Sequence, residues 1–148
     1  MLFRSETRAS ASSVTDLTDD ADALVSAAAI GDYTVEAAEE KIRSGQDLTL
    51  ELSPTPKLID EVRAAHPDLP IVGFKVETGG DDEAMVSAAR STLERADLSF
   101  VVANDAGVMG ETATRVLVVG PDDVREFEGS KADAGGVVAE ELLAELRN

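Results

Sequence analysis

Polar, charged and aromatic side chains stand at the end of three apolar runs of this chain or directly after them. They stand at Asp32-Tyr33, Phe74-Lys75 and Asn104-Asp105, and three more lysines, Lys41, Lys57 and Lys131, are expected on adjoining loops or helix starts. An aromatic ring, a few carboxylates and several lysines around one crevice suit a nucleoside triphosphate with its magnesium ion. The chain has so few lysines that each is a candidate for binding phosphate oxygens, the alternative being an ordinary surface lysine.

The three apolar runs predict the strands that would position these side chains. Residues 24–30 (LVSAAAI) are uncharged and suit a central strand covered on both faces, which breaks at Gly31. Residues 71–76 and 98–103 predict two further buried strands. In an open α/β sheet the residues just past the carboxyl ends of parallel strands line the ligand crevice. The sequence therefore predicts one site that collects all three polar segments.

Turn and helix signals predict the elements between these strands. Residues 48–52 (LTLEL) alternate between leucine and polar side chains, which predicts a half-exposed strand. A helix is predicted to follow, with Thr55 as its cap and Pro56 at its first position. The acidic residues 81–83 could resemble a cation site, but they favour the first turn of a second helix that runs to about Ala96, because carboxylates stabilise a helix N-terminus.

The last third of the chain predicts a hairpin and a closing helix. Strands at 115–119 and 124–127 flank a Gly-Pro-Asp-Asp turn, residues 129–131 form a second turn, and a helix from Asp133 to Leu146 covers the sheet. The implied fold is α/β, a three-layer, Rossmann-like, mostly parallel sheet with an edge β-hairpin. Residues 1–20 are predicted to be a flexible or partly helical lead-in, and residues 21–148 one α/β domain.

Composition restricts the function classes. A net charge of −17 argues against nonspecific binding to nucleic acid or to anionic membranes, and no apolar run approaches membrane-spanning length, which indicates a cytoplasmic protein. The absence of cysteine rules out disulfides, thiolate metal sites and a cysteine nucleophile. An acidic, lysine-poor surface also suggests a halophilic source. The single histidine, His66, has no nearby partner in the sequence and is predicted to be solvated.

Seven short motifs give the chain a resemblance to a known family. In order they read AAAIGDY, EKI, LTLEL, TPKLI, VGFKVET, VVAND and GSK. They resemble the C-terminal part of phosphopantothenate cysteine ligase, also called phosphopantothenoylcysteine synthetase, which in many bacteria and archaea is fused behind a flavin-dependent decarboxylase. The resemblance covers residues 22–146, and the GFK and GSK variants look most like the archaeal, haloarchaeal-like branch.

This resemblance implies a step of coenzyme A synthesis. The family activates the carboxylate of 4′-phosphopantothenate with CTP or ATP and Mg²⁺, which gives an acyl-nucleotide and pyrophosphate. The amine of cysteine then attacks the acyl group, so that the amide forms and the nucleoside monophosphate leaves. Because the attacking groups belong to the substrates, the protein positions them and stabilises charge, and neither a catalytic side chain nor a metal ligand is assigned. FMN would belong only to a fused decarboxylase, and the implied partners are a second copy or that decarboxylase.

The family's nucleotide-binding positions map onto this sequence residue by residue. They are Ser26, Ala27, Ala28, Asp32, Lys41, Pro56, Lys57, Leu58, Ile59 and Phe74. Two lysines that bacterial members carry on a helix are replaced here by Thr92 and Ala96. Either Lys75 or Lys131 could supply the charge that these two positions lack. The candidate phosphate or substrate contacts are accordingly Lys75, Asn104, Asp105 and Lys131.

A second departure concerns the segment before Leu24. The family's Gly-rich loop and an NRSSGKMG-like segment have no match in residues 1–20. We therefore expect a ligase domain truncated at its N-terminus, either a fragment of a longer gene product or a chain that needs a partner.

Two alternatives remain open from the sequence. One is a domain of the same family that binds nucleotide without turnover by itself. The other is an NAD(P)-dependent short-chain-type oxidoreductase, suggested by residues 104–107 (NDAG). That class needs a Gly-rich turn after the first strand and a Tyr-x-x-x-Lys pair, whereas Ala37 stands four residues after Tyr33.

Overall fold

The computed structural model describes residues 13–35, 44–45, 47–77, 81–105 and 113–147, with the backbone alone for Asp105 and Ala113. The strands are β1 (Leu24–Ser26), β2 (Tyr33–Thr34), β3 (Ser53–Pro54), β4 (Ile71–Glu77), β5 (Phe100–Asp105), β6 (Ala113–Val119) and β7 (Val124–Ser130). The helices are α1 (Leu58–Ala65), α2 (Asp82–Ala96) and α3 (Lys131–Glu145). Residues 13–17 are also helical.

Five of the strands form one mixed sheet in the order β1-β4-β5-β6-β7. The first three run parallel, with Ser26 beside Gly73 and Gly73 beside Val101. β6 and β7 extend the sheet as an antiparallel hairpin. The predicted α/β sheet with a hairpin at one edge is therefore confirmed, and the carboxyl ends of β1 and β4 lie at the same edge.

Helices cover both faces of this sheet, because successive side chains of a strand point to opposite faces. On one face α1 and α2 pack on β4 and β5 through Val62, Met85, Ala89, Leu93, Ile71 and Val101. On the other face α3 packs through Ala134, Val137, Val138, Val72, Phe100 and Val102. The three-layer architecture is thus confirmed.

Local capping explains where two of the helices begin. The Asp81 carboxylate accepts a hydrogen bond of 2.9 Å from the Ala84 N–H at the start of α2, which confirms the predicted acidic first turn. The Ser130 hydroxyl accepts one of 3.1 Å from the Asp133 N–H at the start of α3. Helix α1 differs, since its N-cap residue is Lys57 and no side chain caps it. The prediction of Thr55 as its cap was wrong.

Two arginines fasten α1 to the end of α2. Arg63 donates hydrogen bonds of 2.6 Å to the carbonyl oxygens of Pro67 and Asp97. Arg95 forms an ion pair of 2.9 Å with Asp60 in the first turn of α1. The Arg95 contact holds the N-terminal end of α1 at the edge where β1 and β4 end, and the Arg63 contacts hold its C-terminal end beside Asp97.

Strand β1 is shorter and more exposed than the sequence predicted. It ends at Ser26, it is an edge strand of the sheet in the described residues, and Val25 is 43% exposed. The expectation of a seven-residue central strand covered on both faces was wrong. Alanine side chains bury little apolar area, so residues 27–30 gain little by staying in the sheet, and they turn away to line a cavity.

Residues 48–52 do not form the predicted strand. Leu48, Leu50 and Leu52 are 52%, 57% and 61% exposed, and only Ser53–Pro54 pairs, with Tyr33–Thr34. An alternating sequence becomes a strand only where a partner strand and an apolar layer are available. Among the described residues this segment has neither.

Three smaller expectations also need correction. The predicted turn at 129–131 is absent, because Gly129 and Ser130 end β7 and Lys131 opens α3. Leu143 is exposed and does not cover the sheet. The His66 side chain is mostly buried, and its Nε2 lies 3.4 Å from Asp19 Oδ1. It is not the solvated, unpartnered side chain that was predicted.

Candidate functional site

A cavity of about 390 Å³ lies beyond the carboxyl ends of β1 and β4. One wall is the segment from Ser26 to Asp32, the opposite wall is the segment from Thr55 to Ile59, and part of β4 completes it. This is the edge at which parallel α/β sheets bind ligands. The cavity therefore has the position that the sequence predicted for a site.

Backbone contacts hold the two walls side by side. The Thr55 N–H donates a hydrogen bond of 2.8 Å to the Asp32 carbonyl oxygen. The two-residue ladder of β2 and β3 continues this contact, with Tyr33 opposite Pro54 and Thr34 opposite Ser53. The end of the β1 loop and the start of α1 are thus joined directly, although more than twenty residues separate them in the sequence.

Three cations lie along the cavity, and their partners differ. Lys75 pairs with Glu77 at 3.2 Å, and Arg95 pairs with Asp60 at 2.9 Å. Lys57 has no acidic partner within ion-pair distance in the described part of the chain. It also stands at the uncapped N-terminus of α1, whose first N–H groups lack intrahelical acceptors. Charge and backbone donors together make this wall suitable for anionic groups.

The donor set of the cavity also fits magnesium that arrives with a nucleotide. Asp32 is the only carboxylate among the described residues that line it. Mg²⁺ commonly takes one or two protein carboxylates, several waters and substrate phosphates. Within the described residues no group of three or more acidic or histidine side chains could hold a metal ion alone. A magnesium ion here would therefore depend on the phosphates it accompanies.

A second cavity of about 600 Å³ lies on the opposite face of the sheet, beside α3. Most of its lining is apolar, and its polar side chains are Asn104, Thr114 and Lys131. The two cavities share Ala27, Phe74 and Val76, which stand at the edge of the sheet. A ligand in one cavity would consequently lie close to a ligand in the other.

The structure gathers most of the predicted site residues. All described members of the predicted nucleotide set line the first cavity, namely Ser26, Ala27, Ala28, Asp32, Pro56, Lys57, Leu58, Ile59 and Phe74. Lys75 joins them, whereas Asn104 and Lys131 line the second cavity. Lys41 lies outside the described residues, and Asp105 ends β5 with only its backbone described.

Sequence reasoning missed two polar side chains that line the first cavity. Arg95 stands next to Ala96 in the sequence and was not among the predicted site residues, yet it lines the cavity. Thr55 was assigned as a helix cap, yet it is 8% exposed and lines the cavity. No local signal distinguishes such a threonine from a cap, because its burial depends on how α1 and the β1 loop pack.

Comparison with known proteins shows the family to which this chain belongs. Residues 5–148 match the family described as DNA/pantothenate metabolism flavoprotein, C-terminal domain. The chain belongs to this family. The match covers nearly the whole chain, so the family resemblance seen in the seven motifs is confirmed. Membership also overturns the alternative of a short-chain-type oxidoreductase.

Relatives of this chain include bifunctional proteins of coenzyme A biosynthesis. The chain is 48% identical over 107 residues to the coenzyme A biosynthesis bifunctional protein CoaBC of Thermococcus kodakarensis, an alignment that covers 72% of this chain. It spans only 27% of the length of that relative.

Solved structures share the fold of this family member. The DNA/pantothenate metabolism flavoprotein from Streptococcus pneumoniae matches with a TM-score of 0.82 and 21% identity over 94% of this chain and 70% of that one. A Cab2 mutant in complex with phosphopantothenate-cysteine matches with a TM-score of 0.59 and 22% identity, over 82% of this chain and 45% of that one. In the described part of the chain no helix is long and apolar enough to cross a membrane.

Proposed function

We propose that this chain is the ligase part of a coenzyme A synthesis enzyme and joins 4′-phosphopantothenate to cysteine with CTP or ATP. The observation that carries this proposal is the first cavity, since every described residue predicted to contact the nucleotide lines it. Family membership and the bifunctional relative at 48% identity support the same reaction. We place the reaction in the cytoplasm. FMN would be held by a decarboxylase domain outside this sequence.

The first cavity would hold the nucleoside triphosphate. Its phosphates would meet Lys57, the N–H groups at the start of α1, and Lys75, which replaces charge that Thr92 and Ala96 do not carry. Lys41 would add a further cation from outside the described residues. Asp32 would contribute one carboxylate ligand to the accompanying Mg²⁺, whose charge stabilises the pyrophosphate that leaves.

The second cavity would hold 4′-phosphopantothenate. Its apolar lining suits the branched carbon chain of that substrate, and Lys131 and Asn104 offer a cation and an amide for its polar ends. Ala27 and Phe74 border both cavities, so the substrate carboxylate could meet the nucleotide there. Holding the two reactants side by side supplies much of the catalysis in a reaction of this class.

The reaction then proceeds in two transfers. A carboxylate oxygen of 4′-phosphopantothenate attacks the α-phosphorus of the nucleotide, and pyrophosphate leaves. The cysteine amine attacks the acyl carbon, loses a proton, and the nucleoside monophosphate leaves with the bonding electrons. No side chain of the protein becomes covalently modified, so cations and backbone N–H groups provide the stabilisation.

We also propose that two copies of this chain form a homodimer. The exposed segment 48–52 alternates, and antiparallel pairing of two copies about Leu50 would place Leu48 opposite Leu52 on one apolar face. Such pairing would give the segment the partner strand that it lacks among the described residues. Sedimentation should show the mass of two copies for the wild-type chain and of one copy for Leu50→Glu. Equal masses would exclude this interface.

An alternative is nucleotide binding without turnover by this chain alone. The chain spans about a quarter of the length of its bifunctional relative, so residues of another segment could be required for the acyl transfer. Binding would then survive while pyrophosphate release would not. The two possibilities are separated by measuring both quantities on the same protein.

The test is pyrophosphate release in molar KCl with Mg²⁺, 4′-phosphopantothenate, and CTP or ATP, with and without cysteine. Release that requires 4′-phosphopantothenate, with the amide formed only when cysteine is present, is the expected result. Nucleotide binding without release would support the alternative. Absence of nucleotide binding would reject both.

A further inference from the structure

The hydroxyl of Thr55 is a buried polar group that has no partner among the residues the structure describes. The residue is 8% exposed, and its Oγ1 makes no hydrogen bond within the described part of the chain. A buried hydroxyl that loses its water without gaining a partner costs about 1–3 kcal/mol. Buried polar groups are paired in most folded proteins, so this one calls for a physical reason.

The position of Thr55 supplies a reason. It lines the first cavity between the Asp32 wall and the start of α1, and its backbone N–H is already used in the bond to the Asp32 carbonyl oxygen. Rotation about the Cα–Cβ bond moves the hydroxyl among three staggered positions, and the methyl group moves with it to another of the three. The hydroxyl can therefore turn toward a ligand in the cavity without any movement of the backbone.

The distribution of charge along the cavity indicates which part of a ligand the hydroxyl would meet. The three cations are exposed or half-exposed, with the Lys75 and Arg95 side chains 38% and 48% exposed. Phosphates remain partly hydrated when they bind such cations. Thr55 instead is buried, and the apolar side chains of Leu58 and Ile59 line the same cavity. A phosphate that reached this buried hydroxyl would lose hydration. An uncharged polar edge is the better match for a neutral hydroxyl there.

We propose that Thr55 is a specificity-determining residue whose hydroxyl forms a hydrogen bond with the nucleoside part of the bound nucleotide. This inference rests on the proposed function, which places a nucleotide in the first cavity. In the free protein the hydroxyl has no partner among the described residues, and the bound nucleoside would provide one. The residue thus reduces the stability of the free protein in exchange for affinity.

Thr55→Val tests this inference, because valine keeps the shape and removes the hydroxyl. We expect the free variant to unfold at the same temperature as the wild type or higher, since no hydrogen bond is lost. We expect its Kd for the preferred nucleotide, CTP or ATP, to rise about tenfold. Its Kd for inorganic tripolyphosphate should not change. Thr55→Ser keeps the hydroxyl and should retain nucleotide affinity.

Thr18→Val is the matched control. Thr18 is equally buried, at 4% exposure, but its hydroxyl already donates a hydrogen bond of 2.7 Å to the Thr15 carbonyl oxygen. This variant should lose stability and keep its nucleotide affinity, the opposite of Thr55→Val.

Three results would overturn the inference. Equal nucleotide affinity of Thr55→Val and wild type would reject it while leaving the proposed function intact. An equal loss of affinity for tripolyphosphate would show that the hydroxyl meets phosphate. Absence of nucleotide binding by the wild type would reject the inference and the proposed function together.

Discussion

At the scale of single residues, Lys57 combines two sources of positive potential. Lys57 lines the first cavity without an acidic partner among the described residues. It is also the N-cap residue of α1, and no described side chain accepts a hydrogen bond from the free N–H groups at that helix end. Lys75 and Arg95 line the same cavity, but each already balances a carboxylate. A phosphate group therefore gains more from Lys57 than from either of them.

The first prediction follows from this difference. Lys57→Ala should raise the Kd for the nucleoside triphosphate about tenfold, the loss of one charge-assisted hydrogen bond. Lys75→Ala should have a smaller effect, because Glu77 already neutralises that lysine. Isothermal titration calorimetry measures both. Arg125→Ala is the control, because it removes the same charge at a position outside both cavities and should leave the Kd unchanged. A similar rise of the Kd in Arg125→Ala would mean that only the net charge of the protein matters.

A second residue-scale prediction concerns Arg115, which binds two strands and a helix together. Its guanidinium donates to both Asp82 carboxylate oxygens, at 2.8 and 2.6 Å, and to Glu126. The hydrogen bonds from Arg115 lower the pKa of Asp82, although partial desolvation opposes them. Because the pKa is lower in the folded state, the stabilisation is present above the unfolded pKa of about 4 and is lost as pH falls below it.

Asp82→Asn removes this contribution. The variant should be less stable than the wild type at pH 7, and the difference should shrink as the pH falls through about 4. Thermal unfolding from pH 7 to pH 3 measures it. Glu83→Gln changes the same charge in the same helical turn but has no described ion pair, so it should show little pH-dependent difference. A difference between Asp82→Asn and wild type that stayed constant with pH would contradict the prediction.

At the scale of elements, α3 carries two consecutive glycines in its interior. A Cβ added at Gly135 or Gly136 would meet no atom within 4 Å. A glycine in a helix interior costs about 1 kcal/mol relative to alanine, so both substitutions should stabilise the chain. Their positions differ, since Gly135 lines the second cavity and Gly136 does not. The open space beside Gly135 is therefore a feature of the cavity, while nothing in the structure explains Gly136.

The two glycines provide a matched pair for the second cavity. Gly136→Ala should raise the melting temperature by about 2–4 °C and leave the steady-state kinetics unchanged. Gly135→Ala should give a similar rise but increase the KM for 4′-phosphopantothenate, because its methyl group enters the cavity proposed for that substrate. Identical kinetics of the two variants would remove the second cavity from the reaction.

Sequence reasoning succeeded for elements with strong local signals. β4 opens with the apolar residues Ile71–Phe74, α2 has Asp81 as its cap, and the hairpin has a Gly-Pro-Asp-Asp turn. The first two elements were predicted close to their observed limits, whereas β7 runs three residues longer than predicted. Residues 48–52 failed because alternation specifies a strand only when a partner strand is present. The motifs identified most residues of the first cavity, whereas the burial of the Thr55 hydroxyl without a described partner follows from tertiary packing alone.

At the scale of the whole molecule, the two cavities occupy opposite faces of one sheet and meet at its edge. Strand β1 ends after three residues, and this early end leaves Ala27 free to border both cavities. A longer β1 would have separated them by a continuous layer of backbone. In the proposed reaction, the short, exposed edge strand is thus the structural condition for bringing the two substrates together.

The charge of the whole chain gives the last prediction. The sequence has 30 acidic residues against 13 lysines and arginines, a net charge of −17, so repulsion between carboxylates should exceed attraction within the ion pairs. The screening length falls from about 10 Å at 0.1 M salt to about 3 Å at 1 M, which reduces that repulsion. We therefore expect the melting temperature to rise by several degrees between 0.1 and 1 M KCl.

A variant with less charge separates screening from other effects of salt. Glu94 and Glu140 are exposed and have no described ion pair, so Glu94→Gln with Glu140→Gln lowers the net charge without removing a contact. This variant should be more stable than the wild type at 0.1 M KCl and should gain less from added salt, because there is less repulsion to screen. A melting temperature that fell with added KCl would contradict this prediction. It would show that the ion pairs of Arg95, Arg115 and Arg125 contribute more to stability than the carboxylate repulsion removes. It would also argue against an origin in concentrated salt.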